Sequence, residues 1–152
     1  METASNVLYL TIRAKPDKPL RPYSWSQDGG RTWAAVQWHA EVPEPSSCQG
    51  SAIRFTDSQN QDKNRVLLAN PAGPARERLT VRLSYDECQS WNAGQVLWPG
   101  PAAYSDLCVL PDLTIACLYE GGEQNPYQNI KFARFDLEWL TAGADHLVKT
   151  TE

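Results

Sequence analysis

A pattern of eight residues occurs twice in this chain and restricts its fold more than any other feature of the sequence. Residues 26–33 have the form S-x-D-x-G-x-T-W at every defined position. Residues 84–91 repeat this form, with Cys88 in place of the glycine and Ser90 in place of the threonine. We therefore interpret the two segments as one structural element that is used twice.

The pattern has a physical logic that makes it a turn between two adjacent strands. The side chains of Asp28 and Asp86 are placed to accept hydrogen bonds from N–H groups of a tight turn, where glycine permits a positive φ. Trp33 and Trp91 are placed to pack beneath the hairpin. The motif is called the Asp box, and we assign its residues to folding and not to chemistry. Because Cys88 stands in the glycine position, we expect the second turn to be somewhat altered.

Short apolar runs separated by turn residues fill the rest of the chain, and this spacing is typical of an all-β sandwich, barrel or propeller. The ten predicted strands are residues 7–13, 23–26, 35–39, 51–55, 65–69, 79–84, 94–98, 105–110, 114–119 and 130–136. They correspond to about two and a half four-stranded blades of a propeller. A short terminal helix is predicted within residues 136–147, with Leu137 and Leu140 on one face.

Composition argues against several classes of function. The net charge is −4 and the 14 Lys and Arg residues are dispersed, so we expect no nucleic-acid partner. No apolar run has the length that a membrane helix needs, so no membrane span is expected. Residues 1–6 lack the layout of a signal peptide, and the cellular location stays unknown.

The cysteines and histidines do not predict a metal site. They are too far apart, and none of the cysteines has a paired C-x-x-C spacing. These residues are Cys48, Cys88, Cys108, Cys117, His39 and His146. We expect Cys108 and Cys117 to face each other across a hairpin as two small buried thiols.

Residues 103–120 resemble a known family. They contain Y-S-D-L from residue 104, L-P-D from residue 110 and L-Y-E from residue 118. This succession resembles the Y-S-x-L, L-P-D-G and L-Y-E stretches of bacterial and animal exo-sialidases. In that family the first tyrosine is the nucleophile and the final glutamate orients an arginine of the active site. The resemblance therefore assigns the nucleophile to Tyr104 and the orienting role to Glu120.

The resemblance continues upstream of these residues. Residues 70–84 are similar to the N-P-A, R and T-V-R-x-S segment that carries the third arginine of the family's triad. Arg76 is the best match, Arg78 is an alternative, and Arg82 is interpreted as structural. Residues 10–14 resemble the strand that ends in the second arginine of the triad, which is Arg13 here, and residues 48–51 resemble a C-Q-G-S turn.

The resemblance covers nearly the whole chain and identifies it as the C-terminal part of a sialidase, about half of a six-bladed propeller with Asp boxes, also called BNR repeats. It implies retaining hydrolysis of terminal α-linked sialic acids from glycoconjugates by the complete enzyme, with no cofactor. Arg13 and Arg76 would bind the substrate carboxylate through paired hydrogen bonds. A neutral tyrosine avoids the repulsion that a carboxylate nucleophile would meet from that same carboxylate.

Three roles of the family are not assigned to this chain. They belong to the first arginine of the triad, the acid/base aspartate and the glutamate that activates the tyrosine, and all of these precede the second arginine. The twelve residues before Arg13 contain only one acid, Glu2, in a polar segment. We therefore expect the isolated chain to be nearly inactive, as the product of a truncated or split gene or as an inert fragment.

Two further expectations concern what the chain binds. Half of a propeller leaves the flanks of its sheets uncovered, so we expect self-association or pairing with a complementary N-terminal half. The expected ligands are sialylated glycans. The alternative is a non-catalytic Asp-box propeller fragment that binds a glycan or a protein.

Overall fold

The computed structural model describes residues 1–13, 18–44 and 47–148, and these residues form antiparallel strands and one short helix. The strands are β1 (Leu8–Thr11), β2 (Leu20–Ser26), β3 (Gln37–Pro43), β4 (Ser51–Thr56), β5 (Arg65–Pro71), β6 (Glu77–Ser84), β7 (Ala93–Val109), β8 (Ile115–Gly121) and β9 (Asn129–Phe135), and the helix is α1 (Leu137–Leu140). The prediction of an all-β chain is confirmed.

The strands follow one another in space in the order in which they occur in the sequence. Strands β1, β2 and β3 form one sheet, and β4 to β9 form a continuous series of neighbours. The 17-residue strand β7 pairs with β6 through its first half and with β8 through its second half. It therefore connects a complete four-stranded blade, β4 to β7, with a second blade that continues through β8 and β9.

This long strand corrects the prediction of two separate strands at residues 94–98 and 105–110. The prolines and glycine of residues 99–101 indicated a break. In the structure Pro101 pairs with Glu77, and the ladder continues when the N–H of Ala102 donates to the carbonyl oxygen of Arg76 at 2.8 Å. The prolines lie where the strand changes partners, so their missing N–H groups do not interrupt it.

Strand β5 is buried along its whole length and separates two hydrophobic clusters. Leu67 faces the larger cluster, together with residues of β6, β7, β8 and α1. Val66 and Leu68 face the smaller cluster, which also contains Tyr9 and Trp91. Because successive side chains of a strand point to opposite faces, β5 contributes side chains to both clusters.

The two Asp boxes form turns with the same hydrogen bonds, between β2 and β3 and between β6 and β7. In the first, Asp28 accepts from the N–H and the hydroxyl of Thr32 at 2.9 and 2.7 Å. In the second, Asp86 accepts from the same two groups of Ser90 at 2.8 and 2.6 Å. Cys88 takes a positive φ of 71°, so the expectation of an altered second turn is wrong.

The tryptophans of the two boxes differ in their surroundings. Trp91 is 3% exposed and belongs to the smaller cluster, whereas Trp33 is 42% exposed. Only the second copy therefore buries its tryptophan, as the sequence pattern predicts for both.

The helix at the end of the chain is shorter than the predicted range of 136–147. It begins after Asp136, whose carboxylate accepts the N–H of Trp139 at 2.8 Å, and it ends at Leu140. Ala142 and Gly143 then take positive φ values and turn the chain away from the helix. Burial of Leu137 and Leu140 fixes this single turn against the larger cluster.

The predicted pairing of two cysteines does not occur. Cys108 lies opposite Ala116, and Cys117 lies opposite Leu107. The two thiols are therefore on opposite faces, with Cys108 exposed and Cys117 buried. Within the part of the chain that the structure describes, no helix has the length and apolar character to cross a membrane.

Candidate active site

Tyr104 lies at a bulge in the long strand β7. Ala102 pairs with Gly121 and Ser105 pairs with Tyr119, so β7 has one extra residue between these two pairs. Such a residue bends its strand and re-aims a side chain, which is common beside active sites. The Tyr104 side chain is 40% exposed as a result.

Two side chains hold the backbone of the bulge. The N–H of Tyr104 donates to Oε2 of Glu120 at 3.1 Å. The side-chain amide of Gln49 accepts the N–H of Ser105 at 3.0 Å and donates to the carbonyl oxygen of Ser105 at 2.9 Å. The tyrosine is therefore fixed through its own N–H and through both polar groups of the next residue.

Glu120 has a structural task that the sequence did not indicate. Its carboxylate binds the backbone of Tyr104, and none of the ion pairs among the described residues includes it. The role assigned by resemblance, orienting an arginine, stays a prediction.

Arg13 reaches Tyr104 from the first sheet. Its NH1 group donates to the Tyr104 hydroxyl at 2.7 Å, and its Nε donates to the carbonyl oxygen of Ser47 at 3.0 Å. The Cζ atom lies 5.6 Å from the centre of the Tyr104 ring. A residue 91 positions away in the sequence is thus in direct contact with the predicted nucleophile.

Arg76 approaches the same ring from the position just before β6. Its Cζ atom lies 5.5 Å from the ring centre of Tyr104, and its NH1 group donates to the hydroxyl of Tyr127 at 2.6 Å. Arg78, the alternative at the sequence level, is exposed and makes no ring contact with Tyr104. Arg82 is buried and donates to Asn70 at 2.8 Å, as expected of a structural residue.

A buried polar network lies beneath the site. Arg21 donates to Glu44 at 2.9 Å, to the carbonyl oxygen of Cys48 at 2.6 Å and to the hydroxyl of Thr11 at 2.8 Å. Glu44 also accepts from the amide of Asn70 at 3.1 Å. Through Arg21, this network connects β1, which precedes Arg13, with the segment that contains Cys48 and Gln49.

Sequence reasoning missed this network and also missed Tyr127. A buried ion pair such as Arg21 and Glu44, each 1% exposed, has the same residue types as a surface pair. Tyr127 belongs to none of the motifs identified in the sequence, and it is 60% exposed in a loop. The signal for its exposure was its position among Gly, Asn and Pro residues, away from any alternating strand pattern.

An open cleft of about 510 Å³ adjoins Tyr104. Its wall includes Gln49, Glu120, Leu118 and Ile130, whereas the two arginines adjoin it only through the tyrosine. Its volume lies within the range of small-molecule sites.

The charge of the site is positive where it meets the Tyr104 ring. Burial alone would lower the pKa of Arg76, but its interactions with Cys48 and Tyr127 outweigh this effect and hold the pKa above its ordinary value. Burial raises the pKa of the Cys48 thiol. The described residues contain no cluster of His, Cys, Asp and Glu that could hold a metal ion.

Antiparallel sheets, two Asp-box turns and a tyrosine beside two arginines are the features that the resemblance to a sialidase-type propeller predicts. Solved structures have the same fold. An intramolecular trans-sialidase of the leech superposes with a TM-score of 0.77 at 22% identity, over 94% of this chain and 24% of that chain. The intramolecular trans-sialidase of Ruminococcus gnavus gives 0.76 at 23% identity, over 92% of this chain and 32% of that chain.

Sequence comparison identifies the family. The model of the BNR repeat-like domain matches residues 1–117. A sialidase of Micromonospora viridifaciens is 31% identical over 92% of this chain and 21% of its own length, and Sialidase-4 of Mus musculus is 32% identical over 85% and 25%. The chain belongs to the BNR repeat-like family, and it has the fold of the sialidase structures. It spans about a quarter of the length of these two relatives.

Proposed function

We propose that this chain supplies the carboxylate-binding and nucleophilic part of a sialidase active site, acting on terminal α-linked sialic acids. The observation that carries the proposal is the approach of Arg13 and Arg76 to the ring of Tyr104, with one guanidinium at 2.7 Å from the hydroxyl. Guanidinium groups recognise a carboxylate through paired, charge-assisted hydrogen bonds. A sialic acid bears its carboxylate on the anomeric carbon, so binding it there brings that carbon close to the Tyr104 oxygen.

The reaction of the complete enzyme would proceed in two displacements. In the first, the Tyr104 oxygen bonds to the anomeric carbon, the glycosidic bond breaks, the phenol proton passes to a base and the leaving oxygen receives a proton from an acid. In the second, water bonds to the same carbon and gives its proton to the group that served as the acid, and the bond to Tyr104 breaks as the phenol oxygen regains the proton held by the base, which retains the configuration. This chain supplies the nucleophile and two carboxylate contacts.

The acid and the base of this reaction are not assigned to described residues. Glu120 is bound to the backbone of Tyr104, and no described carboxylate is hydrogen-bonded to the Tyr104 hydroxyl. General acid–base groups typically contribute factors of about 10² to 10⁴ each. We therefore expect the isolated chain to bind sialic acid and to hydrolyse a 4-methylumbelliferyl sialoside at most very slowly.

Calorimetry with the methyl α-glycoside of N-acetylneuraminic acid tests the binding part. Replacing Arg13 or Arg76 by alanine should weaken binding about tenfold or more, because a hydrogen bond to a charged group contributes about 1.5–3 kcal/mol. Arg31→Ala removes the same charge at an exposed position in the first Asp box and should leave the affinity unchanged. Absence of binding by the unaltered chain would contradict the proposal.

A sialyl fluoride tests the nucleophile separately, since fluoride departs without a general acid. With 2,3-difluoro-N-acetylneuraminic acid, the bond between the anomeric carbon and fluorine breaks, a bond to the Tyr104 oxygen forms, and hydrogen fluoride is released. Intact-protein mass spectrometry should detect the adduct in the unaltered chain and not in Tyr104→Phe.

The second candidate is a non-catalytic binding module. The carboxylate of Glu120 favours it, because this acid is bound to a backbone N–H and not to a reacting group. Binding of the sialoside without any adduct at Tyr104 would support this candidate over the first.

A further inference from the structure

Tyr127 is an exposed aromatic residue without a packing role. Its side chain is 60% exposed, and it lies in the loop between β8 and β9. A large aromatic side chain in such a position loses the free energy that burial would give it. A function of Tyr127 at the surface would therefore be found in its contacts with neighbouring side chains.

The loop that carries Tyr127 is held by its own side chains. Oε1 of Gln128 accepts the N–H groups of Glu123 and Gln124 at 2.8 and 2.9 Å. Oδ1 of Asn125 accepts the N–H of Tyr127 at 2.9 Å. Because the backbone is fixed on both sides, the phenol is presented in one direction.

That direction leads to Arg76. The Tyr127 hydroxyl accepts a hydrogen bond from NH1 of Arg76 at 2.6 Å, and the guanidinium carbon lies 6.0 Å from the centre of the Tyr127 ring. The same carbon lies 5.5 Å from the centre of the Tyr104 ring. The guanidinium is therefore within cation–π distance of both phenol rings.

We propose that Tyr127 is a positioning residue that orders the Arg76 guanidinium for a carboxylate. The proposal rests on the proposed function, because it names the residue that prepares one of the two carboxylate contacts. A free arginine side chain loses considerable rotamer entropy when it is fixed by a ligand. A guanidinium already held by Tyr127 loses less rotamer entropy when the carboxylate binds, and the affinity for the carboxylate is therefore higher.

The ordering of Arg76 can be measured without any ligand. The side-chain ¹⁵N–¹H signals of Arg76 should be slow to exchange in the unaltered chain and should shift and broaden in Tyr127→Phe. The control is Tyr85→Phe, which removes the hydroxyl of another exposed tyrosine, one that is bound to Asp145 at 2.8 Å and lies outside the candidate site. Unchanged Arg76 signals in Tyr127→Phe would overturn the proposal whatever the chain binds.

A second measurement separates positioning from a general effect on the fold. The affinities of methyl α-N-acetylneuraminate and of its C1 methyl ester are compared in the same variants. Tyr127→Phe should weaken binding of the acid about three- to tenfold, as for loss of one hydrogen bond, and leave the ester almost unchanged. Equal affinities of the unaltered chain and Tyr127→Phe for the acid would overturn the proposal. If the unaltered chain does not bind the acid while the Arg76 signals respond to Tyr127→Phe, the positioning role stands and the proposed function fails.

Discussion

At the scale of single residues, the candidate site depends on how backbone groups next to Tyr104 are satisfied. The bulge removes the N–H of Tyr104 from the ladder, so this N–H and the backbone groups of the buried Ser105 need other partners. Glu120 and Gln49 supply the missing partners with their side chains. These two residues therefore determine where the phenol points, although they bind the backbone and not the phenol itself.

We expect Gln49→Ala to lower the free energy of unfolding by about 1–3 kcal/mol, because both backbone groups of the buried Ser105 lose their partner. Urea unfolding followed by tryptophan fluorescence measures this change. Gln59→Ala removes an exposed amide and should change the stability by less than about 0.5 kcal/mol. Equal stability of the two variants would show that the bulge is held by other contacts.

At the scale of elements, the two Asp boxes form the same turn but bury their tryptophans to different extents. Both aspartates make the same hydrogen bonds to the residue four positions later. In the second box Glu87 and Cys88 take left-handed conformations that glycines take in the first. A left-handed residue that is not glycine costs about 1–2 kcal/mol. Burial of Trp91 and Cys88 in the smaller cluster offsets this cost.

The difference predicts unequal effects of removing the two tryptophans. Trp91→Ala should destabilise the chain by about 3–5 kcal/mol, as for other buried aromatic side chains, whereas Trp33→Ala should cost less than about 1 kcal/mol. The midpoints of urea denaturation, at an unchanged slope, report the two values. A large loss in Trp33→Ala would mean that the exposed ring stabilises its turn directly.

At the scale of the whole molecule, one carboxylate attaches the end of the chain to the middle of the sheet. Asp145 accepts hydrogen bonds from Arg65 at 2.7 and 2.9 Å, from Lys63 at 2.9 Å and from the hydroxyl of Tyr85 at 2.8 Å. Burial alone would raise the pKa of Asp145, but these hydrogen bonds outweigh it and hold the pKa well below its ordinary value. The attachment is therefore strongest while the carboxylate is ionised.

The sign of this pKa shift gives a pH dependence. An aspartate whose pKa is depressed by folding stabilises the chain above its unfolded pKa, near pH 4, and loses that contribution as the pH falls toward the folded value. We expect the free energy of unfolding to decrease from pH 5 to pH 3, and to decrease less in Asp145→Asn. At pH 7 Asp145→Asn should be less stable by about 3 kcal/mol, since Arg65 stays buried without that partner. The exposed Glu138→Gln should retain the pH dependence of the unaltered chain.

Self-association of the 152-residue chain is expected from one face of its last strands. Leu118, Ile130 and Phe132 are 51, 66 and 65% exposed, and Leu118 lies directly opposite Phe132. Contiguous apolar surface of this kind drives association. Sedimentation velocity over a range of concentrations should show larger species that Phe132→Lys reduces and Val36→Lys, at a separate exposed position, does not. A monomer at all concentrations would contradict this expectation.

The sequence by itself predicted the all-β fold, the turns and the family. Turn residues at regular spacing and two copies of one motif are local features, and local features can be read from the chain. All ten predicted strand segments lie wholly or mainly in strands of the structure, but the two at residues 94–98 and 105–110 form one strand. The prolines between them indicated a break because the change of pairing partner at that point is not a local property.

Only the tertiary structure decided how the site is assembled. Arg13, Arg76 and Tyr104 were predicted one at a time from resemblance, and the fold places them in contact across 91 positions of sequence. The attachment of Glu120 to a backbone N–H and the contact of Tyr127 with Arg76 depend on a bulge and on a loop conformation. Residue types indicate which chemistry is available, but distances between residues far apart in the chain are set by packing of the sheets.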